Sequence, residues 1–170
     1  MENLGSAAIA LCNPKSPSNV GAVMRAAGCY GACAIFYNGT RFERAAKYHT
    51  DTRDAHLKVP LTAVESFVGL AKAPQKLVCI ELVEGATPLP DFVHPEHALY
   101  VFGPEDSSID QATVNAADAV VYIPTNGCMN LAATVNVLLY DRMAKQNRQI
   151  DPDLIKQSRD ANNRLVLNKS

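Results

Sequence analysis

Its 170 residues suit one compact domain, and a 48% apolar share with 19% charged residues excludes a largely disordered chain. A formal charge of −1 argues against a uniformly basic nucleic-acid binder but leaves room for a local basic face. The absence of Trp, with aromatic residues at 6%, argues against an aromatic stacking platform.

No apolar run approaches the ~18 residues of a membrane helix. The start, Met1 to Ser6, holds an acid and no basic cluster, so no signal peptide is expected and a cytoplasmic location is. The first apolar run, Ala7–Leu11, predicts a strand. A loop with two prolines follows, and Pro17–Tyr30 predicts a helix with Ser16 as its N-cap, Pro17 at its first position and Gly31 as its stop. Ala32–Tyr37 predicts a strand, Asn38-Gly39 a turn and Arg41–Tyr48 a short helix. Leu61–Ala71 reads as a helix after Pro60. Lys76–Leu82 and Ala98–Phe102 read as strands, Ile109–Ala116 as a helix and Ala119–Ile123 as a strand. From Met129 to about Gln146, Leu131, Val135, Leu138 and Leu139 form a helical stripe. Strands alternating with helices predict an α/β domain with a mostly parallel sheet over residues 1–150. From Asp151 the chain turns polar, a tail expected to be a partner-dependent helix or loosely ordered.

The five cysteines, at 12, 29, 33, 79 and 128, form no CxxC pair and read as buried free thiols rather than a disulfide or zinc framework. The four histidines lack HExxH spacing, and His94 and His97, in a proline-flanked loop, read as surface residues. No metal site is expected. The loops also lack GxGxxG, GxxxxGK[ST] and GxSxG, which disfavours a standard dinucleotide fold and excludes a P-loop and an α/β-hydrolase elbow.

In open parallel sheets, ligands bind beyond the carboxyl ends of strands. Four segments qualify: Asn13 to Gly21 leading to Arg25, Val83 to Thr87, Phe102 to Asp106, and Ile123 to Asn130. Each residue has a plain structural use. Asn19 can start a helix, Arg25 can be a solvated charge, Glu105 can meet a helix dipole and Asn130 can cap the last helix. Their occurrence together, in order, at strand ends raises the odds of a site.

Three ordered motifs bear a resemblance. They are Pro17-Ser18-Asn19-Val20-Gly21 with Arg25-Ala26-Ala27, then Val101-Phe102-Gly103-Pro104-Glu105-Asp106, then Ile123-Pro124 with Cys128-Met129-Asn130-Leu131-Ala132. Glu81-Leu82 and Gly85-Ala86-Thr87-Pro88-Leu89 add to them. Together the chain resembles the SpoU/TrmH family of RNA ribose 2′-O-methyltransferases, of the SPOUT superfamily, over about Ala7 to Ala144. The resemblance implies a deep C-terminal trefoil knot, S-adenosylmethionine as cofactor, and a homodimer whose partner completes the site. Arg25, Asn19, Glu105 and Asn130 would be the catalytic set, with Glu105 holding the Arg25 fork. Cofactor contacts, mostly through backbone, would come from Ile80, Glu81, Leu82, Val101, Phe102, Gly103, Ile123, Pro124 and Met129. Four positions depart from the family pattern: Cys128 and Ala132 replace serines, and Asp106 and Ser108 replace glycines.

For RNA, the segment 41–58 holds Arg41, Arg44, Lys47, Arg53 and Lys58 against Glu43, Asp51 and Asp54, with His49 and His56. It is the candidate phosphate-facing surface, although a solvated charged loop explains it as well. Lys15 and Cys128 would add substrate contacts, and Arg142, Lys145 and Arg148 would extend the face. The expected activity is 2′-O-methylation of RNA, with tRNA favoured and rRNA possible. The competing readings are a non-catalytic knotted RNA-binding protein, which Cys128 and Ala132 favour, and methylation of a base or a protein.

Overall fold

The computed structural model describes residues 6–46, 59–146 and 150–167. Strand β1 (Ala7–Leu11) is apolar throughout and buried throughout. A strand that hides both faces needs cover on each, which a parallel sheet between two layers supplies. The other strands are β2 (Ala34–Tyr37), β3 (Leu61–Ala63), β4 (Lys76–Ile80), β5 (Thr87–Pro88), β6 (Ala98–Phe102) and β7 (Ala119–Tyr122). All pair in parallel in one seven-stranded sheet of order β3-β2-β1-β6-β4-β7-β5.

Successive strand residues alternate between two cores, as the period of two requires. Ile9, Leu11, Val78, Ile80, Tyr100 and Phe102 face one core. It is shared by α1 (Pro17–Tyr30) and α4 (Leu131–Lys145). Ala8, Ala10, Cys79, Leu99 and Val101 face the other, together with Phe67 and Ile109. The expected Leu131, Val135, Leu138 and Leu139 stripe is buried against the first core.

The ends of α1 follow the sequence signals. The Ser16 hydroxyl accepts from the Asn19 amide, Pro17 occupies the first turn, and Gly31 closes the helix at φ 71°. Between α1 and α3, Arg41–Ala46 forms the short helix α2. Helix α3 (Gln111–Ala116) begins two residues later than expected, because the Asp110 carboxylate accepts from the Thr113 amide and sets the cap there.

One expected helix is absent. Leu61–Ala63 is instead strand β3, in register with Ile35–Tyr37. The Pro60 carbonyl accepts from the Ile35 amide, which starts the pairing. The apolar residues that suggested a helical stripe still turn inward: Phe67 is buried, with Val64, Leu70 and Ala71 packed around it. They do so from bends, one of them at Gly69 with φ 76°. Strand β5 and the 3₁₀ turn Leu89–Asp91, which sequence reading missed, follow β4. In the tail, Leu154–Ser158 forms the short exposed helix α5. No described helix is long and apolar enough to cross a membrane.

Several polar residues are placed differently from expectation. His94 is buried, its side chain 3% exposed, between the Tyr100 hydroxyl and Asp141, each at 2.8 Å. Arg142 is also buried and serves no RNA-facing surface. Its guanidinium donates to the Tyr100 hydroxyl and to the carbonyls of Pro95 and Glu96. Lys145 donates to the Leu89 and Phe92 carbonyls and pairs with Asp141. These side chains fasten the last turns of α4 to the 89–96 segment, and so hold the helix whose first turn lies at the candidate site. Of the cysteines, Cys12 and Cys79 are buried and Cys29, Cys33 and Cys128 exposed. Burial, reinforced by Asp110, pushes the Cys12 and Cys79 thiols up to about 12, which leaves them protonated and inert.

Candidate functional site

Strands β1, β6, β4 and β7 are consecutive neighbours in the sheet. Because all run the same way, the loops after them emerge side by side at one edge. Those loops carry all four segments singled out from the sequence.

Between them lies a cleft of about 220 Å³. It is lined by Ile80, Glu81, Leu82, Phe102, Gly103, Ile123 and Met129, all candidates for cofactor contact, and by Glu105 and Cys128. Two other candidates stand apart. Val101 directs its side chain into the opposite core, because it alternates with Phe102 along β6. Pro124 is exposed and outside the cleft lining. Thr125 and Leu131, from the fourth segment and the third motif, also line the cleft, as do Tyr122, Ser107 and Thr134, which were not singled out. Thr134 had a legible signal: it lies one helical turn beyond Asn130 and donates to the Asn130 carbonyl at 2.9 Å.

Glu81 and Gly103 lie against each other. The Glu81 carboxylate accepts from the Leu82 and Ile109 amides at 2.9 and 3.0 Å. A Cβ on residue 103 would sit 2.9 Å from that carboxylate, so only glycine fits there without displacing it.

Three of the four candidate catalytic residues form one hydrogen-bonded ladder. Glu105 accepts from the Asn19 side-chain NH2 at 3.0 Å. The Asn130 NH2 donates to the Asn19 side-chain oxygen, also at 3.0 Å. The Asn130 oxygen accepts from the Ala132 and Ala133 amides at the start of α4. Both ends dictate the same polarity. A carboxylate only accepts and helix amides only donate, so each Asn has one consistent orientation. Asn130 is therefore the cap that its sequence position suggests and a member of the ladder as well.

Glu105 also accepts from the Lys15 and Ser16 amides at 3.0 and 3.2 Å. The bonds of the Glu105 carboxylate thus include the Lys15 and Ser16 amides and the Asn19 side chain. Partial burial pushes its pKa up, but the Asn19 and backbone hydrogen bonds outweigh that and hold it below the ordinary 4.5. Arg25 is exposed on α1, six residues beyond Asn19.

The candidate RNA-contacting residues divide. Lys15, Arg44 and Cys128 are exposed. Arg41, its side chain 29% exposed, holds Asp106 and the Asn13 carbonyl. Arg53 lies outside the described residues, as does the stretch 47–58 as a whole. Among the described residues there is no cluster of His, Cys, Asp and Glu able to hold a metal.

Residues 6–140 match the model of the SpoU rRNA Methylase family. The chain belongs to this family. A comparison with curated proteins finds no match. Among solved structures, the chain is similar to the SpoU methyltransferase AviRb from Streptomyces viridochromogenes in complex with AdoMet. That match has 22% identity and a TM-score of 0.65, covering 81% of this chain and 56% of that one. An AdoMet-bound rRNA methyltransferase from Sinorhizobium meliloti matches at 20% identity and a TM-score of 0.67, covering 82% and 56%. This member of the SpoU family thus spans about half the length of those two. A third structure, described as giving structural insights into the 2-OH methylation of C/U34 on tRNA, matches at 21% identity and a TM-score of 0.65. There the match covers 82% of this chain and 95% of that one. The shared fold is the parallel sheet with its flanking helices.

Proposed function

We propose that this SpoU family member is an S-adenosylmethionine-dependent RNA methyltransferase that modifies a ribose 2′-hydroxyl of tRNA. It would work as a cytoplasmic homodimer, with the knotted chain path its family resemblance implies. The observation that carries this reading is the Glu105–Asn19–Asn130 ladder, whose Glu105 lines the cleft on the carboxyl edge of the sheet.

The cleft suits an adenosyl group. Ile80, Leu82, Phe102, Ile123 and Met129 offer apolar walls, while the turns after β4, β6 and β7 offer backbone amides and carbonyls for the base edge. When bound, S-adenosylmethionine supplies a methyl group already activated on a sulfonium. What remains for the protein is alignment of the ribose oxygen and help with a weakly acidic proton.

Asn19 and Asn130 each use an N–H donor in the ladder, and each has a second that could donate to a ribose hydroxyl. A guanidinium is a poor base, so the role of Arg25 is to hold the phosphate beside the reacting ribose and to stabilise developing negative charge on the oxygen. Glu105 stays ionised and anchors the ladder.

The preference for tRNA rests on the domain-sized relative that acts on tRNA, which the match covers almost end to end. The longer rRNA methyltransferase from Sinorhizobium meliloti favours a second reading, methylation of rRNA. Dimer formation is favoured by Val137 and Tyr140, 38% and 57% exposed on the outer side of α4.

The test is incubation of the purified protein with bulk tRNA or rRNA and labelled S-adenosylmethionine, with mass-spectrometric mapping of the product. A methyl group on a tRNA ribose is expected. A methyl on a base refutes the ribose assignment, and labelling of rRNA alone refutes tRNA. Arg25→Ala should abolish turnover and leave calorimetric binding of S-adenosylmethionine largely intact. Near wild-type turnover would remove Arg25 from the mechanism.

A further inference from the structure

Arg41 begins α2, directly after the Asn38-Gly39-Thr40 segment that leaves β2. It was a candidate for RNA contact, but its guanidinium spans two loops of the protein itself. On one side, Nε and one terminal nitrogen donate to the Asn13 carbonyl at 2.9 and 2.6 Å. On the other, the second terminal nitrogen donates to both Asp106 carboxylate oxygens at 2.8 and 2.9 Å. A planar fork that fills both sides sets the separation of the groups it bridges.

The surrounding backbone is shaped for this contact. Asn13 adopts φ 37°, alone among the described non-glycine residues in having a positive φ. That conformation is costly and persists where neighbours impose it. The Asn13 amide donates to the Asn38 side chain at 2.8 Å, and the Asn13 side-chain oxygen accepts from the Arg41 amide at 3.4 Å. Gly39 has φ 74°, and a Cβ on it would collide with the Asn13 side chain. The loops after β1 and β2 are thus fitted to each other around Asn13.

Asp106 and Asn13 are the residues next to the ladder's own anchor. Glu105 adjoins Asp106, and its carboxylate bonds the Lys15 and Ser16 amides, two and three residues beyond Asn13. The same two loops are therefore joined twice, by Arg41 on one side and by Glu105 on the other. Loss of the first joint frees the second to shift. Lys15, 3.9 Å from Asp106 and 66% exposed, adds little to the first joint.

We propose that Arg41 is a positioning residue. With Asp106 it clamps the loops after β1 and β6, and so sets the placement of Glu105 and of the Asn19–Asn130 ladder. This rests on the reading that the ladder serves methyl transfer. The clamp differs from an RNA phosphate contact in a measurable way. A phosphate contact tolerates Lys, which keeps the point charge, whereas the clamp needs the fork.

The test uses the full chain and its Arg41→Ala, Arg41→Lys and Asp106→Ala variants, with bulk tRNA and labelled S-adenosylmethionine. A loop displaced by about 1 Å costs up to about a hundredfold in rate. The expected result is a fall in kcat of roughly ten- to a hundredfold in all three variants, including Arg41→Lys. KM for tRNA and calorimetric affinity for S-adenosylmethionine should stay within about threefold. Wild-type kcat in Arg41→Lys overturns the proposal. So does an Arg41→Ala variant that keeps kcat, raises KM and lowers the salt slope by about one, the mark of a phosphate contact.

A second readout needs no turnover. The Glu105 carboxyl is titrated by NMR in wild type and Asp106→Ala, with Asp106→Asn as the milder replacement if the alanine variant does not fold. Removal of a neighbouring negative charge alone lowers the Glu105 midpoint. Release of the clamp loosens its hydrogen bonds and raises it. A rise supports the clamp, and a fall overturns it. If the wild type methylates no tRNA, the functional reading fails while this titration still decides whether the clamp exists.

Discussion

Asn19→Asp changes one NH2 group to oxygen and leaves the side-chain shape intact, so its effect isolates the polarity of the ladder. The substitution removes the 3.0 Å donation to Glu105 and sets two carboxylates against each other. A hydrogen bond to a charged partner contributes about 1.5–3 kcal/mol, with the lower end appropriate to a solvent-exposed pair. Two unit charges 3.0 Å apart repel by about 1.4 kcal/mol in bulk water and about 5.5 kcal/mol at an effective dielectric of 20. Because the pair is exposed, the water limit applies more closely, and the combined cost at neutral pH is about 2–4 kcal/mol. A loss of 2 kcal/mol multiplies the unfolded fraction about thirtyfold. The pH dependence carries the sharper signature. In the wild type, the depressed Glu105 pKa means that its contribution is present above about 4.5 and lost as pH falls through the lower folded value. In Asn19→Asp the two carboxylates share a proton, so the folded-state pKa of the pair rises and the variant recovers stability as pH falls from 7 toward 5. Urea unfolding from pH 4.5 to 8 measures both proteins, with Asn19→Ala as the control that lacks the second charge. Equal midpoints for wild type and Asn19→Asp at pH 7.5, or no recovery toward pH 5, would refute the ladder.

Gly103→Ala places a Cβ 2.9 Å from the Glu81 carboxylate and should weaken binding of S-adenosylmethionine about tenfold by calorimetry, with the melting temperature little changed. Unaltered affinity would separate the Glu81–Gly103 contact from the cofactor cleft. Arg142→Met removes donors from the Tyr100 hydroxyl and from two carbonyls, and should destabilise the fold by about 3–5 kcal/mol in urea titration. Burial holds the His94 pKa below its ordinary 6.5 despite the Asp141 hydrogen bond. Its contribution is therefore present above pH 6.5 and is lost as pH falls through the lower folded value, so His94→Gln should flatten the stability profile in that window. An unchanged profile would show that His94 does not titrate on unfolding.

Local chemistry made most of the elements readable in the sequence. Helix α1 needed only its own signals, because Ser16, Pro17 and Gly31 act on backbone groups within a few residues. The stripe on α4 likewise identified its buried face before any partner was known. The candidate site was legible as a set of strand-end loops, since parallel strands present their carboxyl ends together. Sequence could not show which side chains in those loops would meet. Asn19, Glu105 and Asn130 are joined across 86 and 111 residues of chain, and that joining follows from the order β1-β6-β4-β7.

The readings that the structure changed concerned either element type or the destination of a side chain. Leu61–Ala71 has apolar residues at spacings that suit a helix, yet the open edge of β2 offered pairing to Leu61–Ala63, and Phe67 reached the core from a bend. Arg41 and Arg142 have the same charge as any RNA-binding arginine. Carbonyls and a carboxylate brought within reach by the fold turned one into a clamp and the other into a buried strut. The amino-acid sequence alone determined the periodicities, caps and motif order, which are set by neighbours along the chain. Tertiary structure decided the ladder, the clamp and the lining of the cleft, because those depend on groups that meet only after the sheet has assembled.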